Sequence, residues 1–318
     1  MFLVKKEITN EFEQFVLQDD ATGTQAVIIP DCGAILQSFS VMQNGSRINV
    51  IESYSSQADF KTNAESKGFR NIKMSPFACR IKNAQYSFEG IQYNVEKFLL
   101  NGSAIHGLLY NEPFTVNNTW ATETSAGVSL YCNYNGKDKG YPFTFRCEVT
   151  YELKAGNALT LSTSVINKTE KAIPVMDGWH PYFTFGGIVN DLLLEFKSDS
   201  LVEFDDTLVP TKKLIPYTEF TTAKKLGDTF FDNCFTLKNN SEGPACTLTD
   251  TAKHLQLEIY PDSSYPYLQI YTPPHRNSIA IENISGAPNA FNNGMGLIIL
   301  QPETAAQFTT TYKITSPL

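Results

Sequence analysis

From end to end the chain alternates apolar and polar positions in short runs broken by Gly, Asn, Asp and Pro, with almost no sustained 3.6-residue apolar period. Successive side chains of a strand point to opposite faces, so this pattern predicts strands with one buried side. Phe145, Cys147, Val149, Tyr151 and Leu153 share one face of such a run. Ala155-Gly156-Asn157 reads as a turn, and Leu159, Leu161 and Val165 continue on a returning strand. Tyr86-Ser87-Phe88, Glu89-Gly90 and Ile91 to Val95 predict a second hairpin. Further strands are expected at Tyr267–Tyr271, Ser278–Ile281, Gly296–Leu300 and Phe308–Ile314. Lys253 to Glu258 reads as another, with His254 on the face opposite Leu255 and Leu257. The exception is Ser55 to Glu65, a polar stretch predicted as a short helix outside the core. No linker, charge block or fixed repeat interrupts the pattern, so the expectation is an all-β chain forming one large β-sandwich domain over residues 1–318.

Composition agrees with a folded chain rich in strands: 42% of residues are hydrophobic and 18% charged, and the aromatics include 22 Phe and 15 Tyr. A net charge of -8 without any Lys/Arg-rich stretch argues against a nucleic-acid partner, because phosphate binding needs clustered basic charge. Met1 to Lys6 reaches charge too soon for a secretion signal, and no apolar run approaches the length of a membrane span. A cytoplasmic protein with no membrane association is expected. The six cysteines, at 32, 79, 132, 147, 234 and 246, form no Cys-x-x-Cys pair and have no histidine at zinc-ligand spacing. They read as reduced structural thiols, with no metal site. In that setting Asn101-Gly102-Ser103 and Asn167-Lys168-Thr169 are chance matches to a glycosylation triplet. Gly-x-Gly-x-x-Gly and Gly-x-x-x-x-Gly-Lys-Ser/Thr are absent, so cofactor-free chemistry is favoured.

Proton transfer must then draw on few groups, since the chain has only four histidines. His254 reads as a solvated-face residue, and His275, after Pro273-Pro274, as a loop residue. His106 in Ala104-Ile105-His106-Gly107-Leu108 and His180 in Asp177-Gly178-Trp179-His180-Pro181-Tyr182-Phe183 are each, taken singly, compatible with a hydrogen-bonded core or turn histidine. Pro181 keeps His180 out of a regular helix. Trp179, Tyr182, Phe183 and Phe185 offer flat apolar surfaces suited to the C–H face of a pyranose. Glu282 follows Ile279, Ala280 and Ile281 on an otherwise apolar strand, where a carboxylate needs a reason to be. Arg80 and Asp232, on their own, read as a surface ion-pair residue and a turn or cap residue.

Five short blocks in order resemble the aldose 1-epimerase (galactose mutarotase) family. Cys79-Arg80-Ile81 is similar to its arginine segment, His106-Gly107 to its His-Gly motif and Trp179 to Phe183 to its His-Pro-Tyr-Phe motif. Phe231-Asp232-Asn233-Cys234-Phe235 resembles its substrate-aspartate segment, and Ala280-Ile281-Glu282 falls where the family carries its base. Order and approximate spacing agree over nearly the whole chain. The resemblance implies a galactose mutarotase-like supersandwich that interconverts the anomers of a free hexose without a cofactor, as a monomer or homodimer. It implies Glu282 as base on the C1 hydroxyl, His180 as acid on the ring oxygen, and Arg80, His106 and Asp232 as sugar-binding groups. Cys79 stands where many members have Asn, Ser75-Pro76 where they have Gly-Arg, Leu108 where they have a second Gly and Ile284 where they have Gln. These departures lie at sugar-contacting edges and bear on which sugar is bound.

Three alternatives stay open at this level. A hexose-6-phosphate epimerase would need basic groups beyond Arg80, for which Lys82, Arg146 and Arg276 are scattered candidates. A non-catalytic carbohydrate-binding protein is possible on the same fold. A glycoside hydrolase pairing Asp232 with Glu282 leaves His180 without a role.

Overall fold

The alternating runs become long antiparallel strands. In the computed structural model, which describes residues 1–238 and 242–316, Ser125–Asn135, Thr144–Lys154, Ala158–Asn167 and Ala305–Thr315 lie side by side in a nine-stranded sheet. Along Thr144–Lys154 buried and half-buried positions alternate, and Phe145, Cys147, Val149, Tyr151 and Leu153 are all buried. The returning strand keeps that face inward by pairing Tyr151 with Leu161, through a turn in which Gly156 and Asn157 both take positive φ. The hairpin of Gln85–Phe88 and Ile91–Asn94 forms as expected.

An eight-stranded sheet packs against the nine-stranded one. Phe183 meets Tyr312 with ring centroids 5.3 Å apart, Tyr151 meets Trp179 at 5.7 Å, and Thr310 Oγ1 donates to Asn283 Oδ1 at 2.8 Å across the same interface. Each such buried aromatic or aliphatic side chain contributes roughly 1.5–3 kcal/mol. A five-stranded sheet takes its strands in chain order from Phe2–Thr9 to Ser46–Asn49. Buried apolar side chains from Phe2 to Ile314 form one contiguous cluster.

Two local expectations change. The helix Gln57–Asn63 is capped by Ser56 Oγ, which accepts the Asp59 amide at 3.1 Å, but it also reaches the core: Phe60 is buried with its ring edge-on to Tyr54 at 5.0 Å. His254 is not in a strand. Asp250 Oδ1 accepts the Lys253 amide at 2.9 Å and closes a turn, so His254 takes φ 51 and the strand begins at Leu255. No helix among the described residues is long and apolar enough to cross a membrane.

Candidate active site

Three neighbouring strands of the eight-stranded sheet set out the polar groups of a cavity. Asp232–Leu237, Tyr267–Tyr271 and Ile279–Ile284 pair so that Asp232 is opposite Tyr271, and Gln269 lies between Cys234 and Glu282. Residues two apart share a face, so Asp232, Gln269, Tyr271 and Glu282 all present their side chains on one side of the sheet. Every residue of Ile279–Ile284 is buried, and Glu282 is the one carboxylate among them.

His180 is brought to Glu282 by the same register. Gly178 pairs with Ile284 and Tyr182 with Ala280, which places His180 opposite Glu282 midway between them. Pro181 follows, and the ladder is interrupted there: the His180 amide donates to Ile72 O at 3.2 Å instead. His180 Nε2 lies 3.4 Å from Glu282 Oε1. The Tyr182 ring stacks on the imidazole at 5.3 Å and 14°, and the His106 ring meets it edge-on at 4.6 Å.

A buried ion pair underlies this segment. Lys73 Nζ lies 2.5 Å from Asp177 Oδ2, 2.9 Å from Gly178 O and 4.6 Å from the centre of the Trp179 ring. Tyr265 OH donates to the same Asp177 oxygen at 2.8 Å. Such a pair contributes geometry more than net stability, because its attraction is offset by the cost of desolvating both charges.

Arg80 and His106 arrive from the other wall. Ser103–Ile105 pairs with Arg80–Ile81, matching Ile105 with Arg80, and the His106 amide donates to Cys79 O at 2.7 Å. The chain then passes so close to Ser75 that a Cβ on Gly107 would lie 2.4 Å from Ser75 O, and Gly107 has φ +82. Glycine is the residue that fits there, which gives the His-Gly pair a local physical reason.

The result is a cavity of about 290 Å³ lined by Arg80, His106, His180, Asp232, Gln269 and Glu282 among others. Its electrostatics are set by burial. Desolvation, with a smaller contribution from Asp232, holds Glu282 well above the usual carboxylate range. Desolvation lowers His180 to about 4, and holds His106 well below the ordinary range with help from the neighbouring His180 and Arg80. Asp232 is raised by burial against the opposing pull of Arg80 and of the hydrogen bond from Gln269. Glu282 Oε2 and Gln269 Oε1 are buried without a hydrogen-bond partner in the protein, a state that costs about 1–3 kcal/mol per group. A ligand carrying several hydroxyls would relieve both. Among the described residues no cluster of three or more His, Cys, Asp or Glu is arranged to hold a metal ion.

The family model for aldose 1-epimerase matches residues 13–313. The chain belongs to the aldose 1-epimerase family. It is an isomerase acting on carbohydrates. Maltose epimerase of Levilactobacillus brevis is 25% identical over 262 residues, covering 76% of this chain and 74% of that one. Human galactose mutarotase is 30% identical over 200 residues, covering 55% and 57%. A galactose mutarotase-like protein from Clostridium acetobutylicum superposes with a TM-score of 0.86 at 20% identity, with 99% of each chain covered. The supersandwich fold is thus that of galactose mutarotase-like proteins.

Within this cavity the aromatic lining differs from the expectation. Of the four aromatics flanking His180, only Tyr182 lines the cavity. Trp179 packs on Lys73 and Tyr151, Phe183 on Tyr312, and Phe185 is likewise buried in the core. Phe69 and Tyr271 line the cavity instead. Gln269, which the sequence reading passed over, donates to Asp232 Oδ1 at 3.1 Å and is almost fully buried. Its signal was there to find: a lone amide centred in the apolar run Leu268-Gln269-Ile270. His275 lies outside the cavity, with Nδ1 accepting the Asn277 amide at 3.0 Å, and His254 is exposed in its turn.

Proposed function

We propose that this protein is a mutarotase of a free aldose, with Glu282 and His180 exchanging protons with the sugar and Arg80, His106, Asp232 and Gln269 holding its hydroxyls. The observation that carries the reading is the 3.4 Å approach of His180 Nε2 to Glu282 Oε1 inside a small polar cavity. Opening a hemiacetal ring requires one proton to leave the C1 hydroxyl as another reaches the ring oxygen. Glu282 takes the first and His180 supplies the second; the C1–O5 bond breaks and C1 becomes an aldehyde. Rotation about C1–C2 presents the other carbonyl face, and closure reverses both transfers. No proton is gained or lost over the cycle. Each group is therefore acid in one direction and base in the other, and the pair works with one proton between them. Burial opposes charge on both partners, so the proton of the empty pair rests on Glu282, one short transfer from the imidazole.

The charge around the cavity favours an unphosphorylated sugar. Three carboxyl side chains, Glu65, Asp232 and Glu282, share its lining with a single guanidinium, Arg80. The other basic candidates are engaged elsewhere: Lys82 faces Asp205 at 3.4 Å, Arg146 pairs with Glu148 at 2.6 Å, and Arg276 donates to Thr229 O at 3.1 Å. A phosphate would meet repulsion where it needs several donors.

The decisive measurement is polarimetry on freshly dissolved α-D-glucose and α-D-galactose. The expected result is a decay of optical rotation faster than the buffer blank, without added metal or nucleotide. Binding of the sugars with rates equal to the blank would instead make the protein a non-catalytic carbohydrate receptor.

A further inference from the structure

His106 turns one ring nitrogen away from the sugar cavity. Its Nδ1 lies 3.1 Å from the sulfur of Met74, which is fully buried and does not line the cavity. The contact is held from both sides. Met74 pairs with Gly178, and a Cβ on Gly178 would lie 3.0 Å from Met74 Cε, so the end of the thioether is packed against that strand. On the other side Leu108 N donates to Ser75 O at 2.8 Å and Ser75 bridges to Gly107, which ties the chain after Met74 to the chain after His106. The rings of Phe69 and His180, with centroids 5.0 Å and 4.6 Å from that of His106, leave the imidazole little room to turn.

The sulfur decides where the imidazole proton sits. A thioether carries lone pairs and no hydrogen, so it can only accept. Two lone pairs facing each other at 3.1 Å would repel, whereas an Nδ1–H donates to the sulfur. A neutral imidazole has a single N–H, and the partners of the ring select which nitrogen carries it. Burial, with the nearby charges of His180 and Arg80, keeps His106 neutral. With the proton on Nδ1, Nε2 presents a lone pair, and Nε2 is the polar ring atom left for the cavity that His106 lines.

We propose that Met74 is a positioning residue for the reaction: its sulfur fixes His106 as the Nδ1–H tautomer, so that Nε2 accepts a hydrogen bond from a sugar hydroxyl. The accepting role rests on the sugar-binding reading above, and the tautomer does not. Arg80, whose guanidinium only donates, sits beside His106 across the short ladder in which Ile105 pairs with Arg80. A hydroxyl both accepts and donates, so it can take a bond from Arg80 and give one to His106, which an ether oxygen cannot. With its one proton engaged by Met74, His106 has none to give to the ring oxygen. That leaves His180 as the acid.

The test is NMR of the full chain with isotopically labelled histidine rings, where two-bond proton–nitrogen correlations separate a nitrogen that carries a proton from one that carries a lone pair. His106→Gln identifies the signal by its loss. In the wild-type protein without sugar, His106 is expected to carry its proton on Nδ1. A proton on Nε2 overturns the proposal outright, and this measurement needs no variant to fold. Met74→Leu nearly conserves volume and removes the acceptor. The proton should then move to Nε2, with KM for glucose or galactose raised about tenfold and kcat essentially unchanged. Tenfold corresponds to about 1.4 kcal/mol, the scale of one net hydrogen bond. An unchanged tautomer in Met74→Leu would take Met74 out of the positioning role. A shifted tautomer with unchanged KM would keep Met74's hold on the ring and overturn the accepting role alone. Should the protein turn over no sugar, the proton-transfer reading has failed, and the Kd for glucose or galactose by titration calorimetry takes the place of KM.

Discussion

Proton transfer by two buried groups makes separable demands on individual residues. Glu282→Gln and His180→Asn nearly preserve shape and remove a transferable proton, so each is expected to lower kcat by roughly 100-fold or more while sugar binding persists. Asp232→Asn and Arg80→Ala remove contacts to the sugar and should act chiefly by raising KM. Steady-state polarimetry separates the two classes; near wild-type kcat in Glu282→Gln would remove the base from the mechanism. The pH profile follows from the direction of each shift. The pair is active with one proton. It gains a second when His180, lowered to about 4, becomes charged beside a protonated Glu282, and loses the last one only above the raised Glu282 value. The acid limb of kcat/KM should thus fall near pH 4, well below the range where an ordinary histidine titrates, near 6.5. A limb centred at 6.5 would show that His180 is solvated in the working enzyme. At this scale the sequence alone was least informative. Arg80 and Asp232 carried bland readings until the motif order linked them to a family. Gln269 leaves only a faint mark, a lone amide between Leu268 and Ile270, because one polar position in a short strand does not disturb its alternation.

Whole elements were more legible, and the misreadings have identifiable causes. Alternation over ten or more residues, as in Thr144–Lys154 and Ala158–Asn167, leaves one solution, because a register slip of one would expose every buried side chain. Runs of only a few residues lack that redundancy. Trp179, Phe183 and Phe185 were expected at the sugar because they are close to His180 in sequence. Trp179 and Phe183, one and three positions away on an extended segment, face the opposite side, and that side is the interface with the nine-stranded sheet; Phe185, five away, is buried in the core. The pair Lys73 and Asp177 could not be read from pattern at all, being 104 residues apart. It fixes the stretch that carries His180, so its loss should be felt in stability. Lys73→Met leaves Asp177 buried beside Tyr265 without its cation, at an expected cost of about 3–5 kcal/mol, and the Lys73→Met/Asp177→Leu double variant should recover part of it. Urea unfolding at constant m-value measures this. A midpoint unmoved by Lys73→Met would mean that the pair is not a structural support.

At the scale of the molecule, the site is assembled from residues 65 to 288, drawn from both walls of one cavity and continuous with one apolar cluster. Nothing local can hold it together, so sugar affinity and global folding should be linked. A single unbroken core predicts that the chain unfolds as one domain in one cooperative transition, and that a ligand bound only by the folded state shifts that whole transition. At a sugar concentration about 100 times Kd the stabilisation is about 2.7 kcal/mol. The shift should appear for glucose or galactose in wild-type protein and also in Glu282→Gln, which keeps its hydrogen-bonding shape while losing turnover. It should shrink in Arg80→Ala at the same sugar concentration, because the weakened affinity lowers the degree of saturation. Thermal scans of the three proteins with and without sugar provide the comparison. Two separate transitions, with sugar moving only one of them, would show that the N-terminal five-stranded sheet folds independently of the site. A shift preserved in Arg80→Ala would take the guanidinium out of the sugar-binding set.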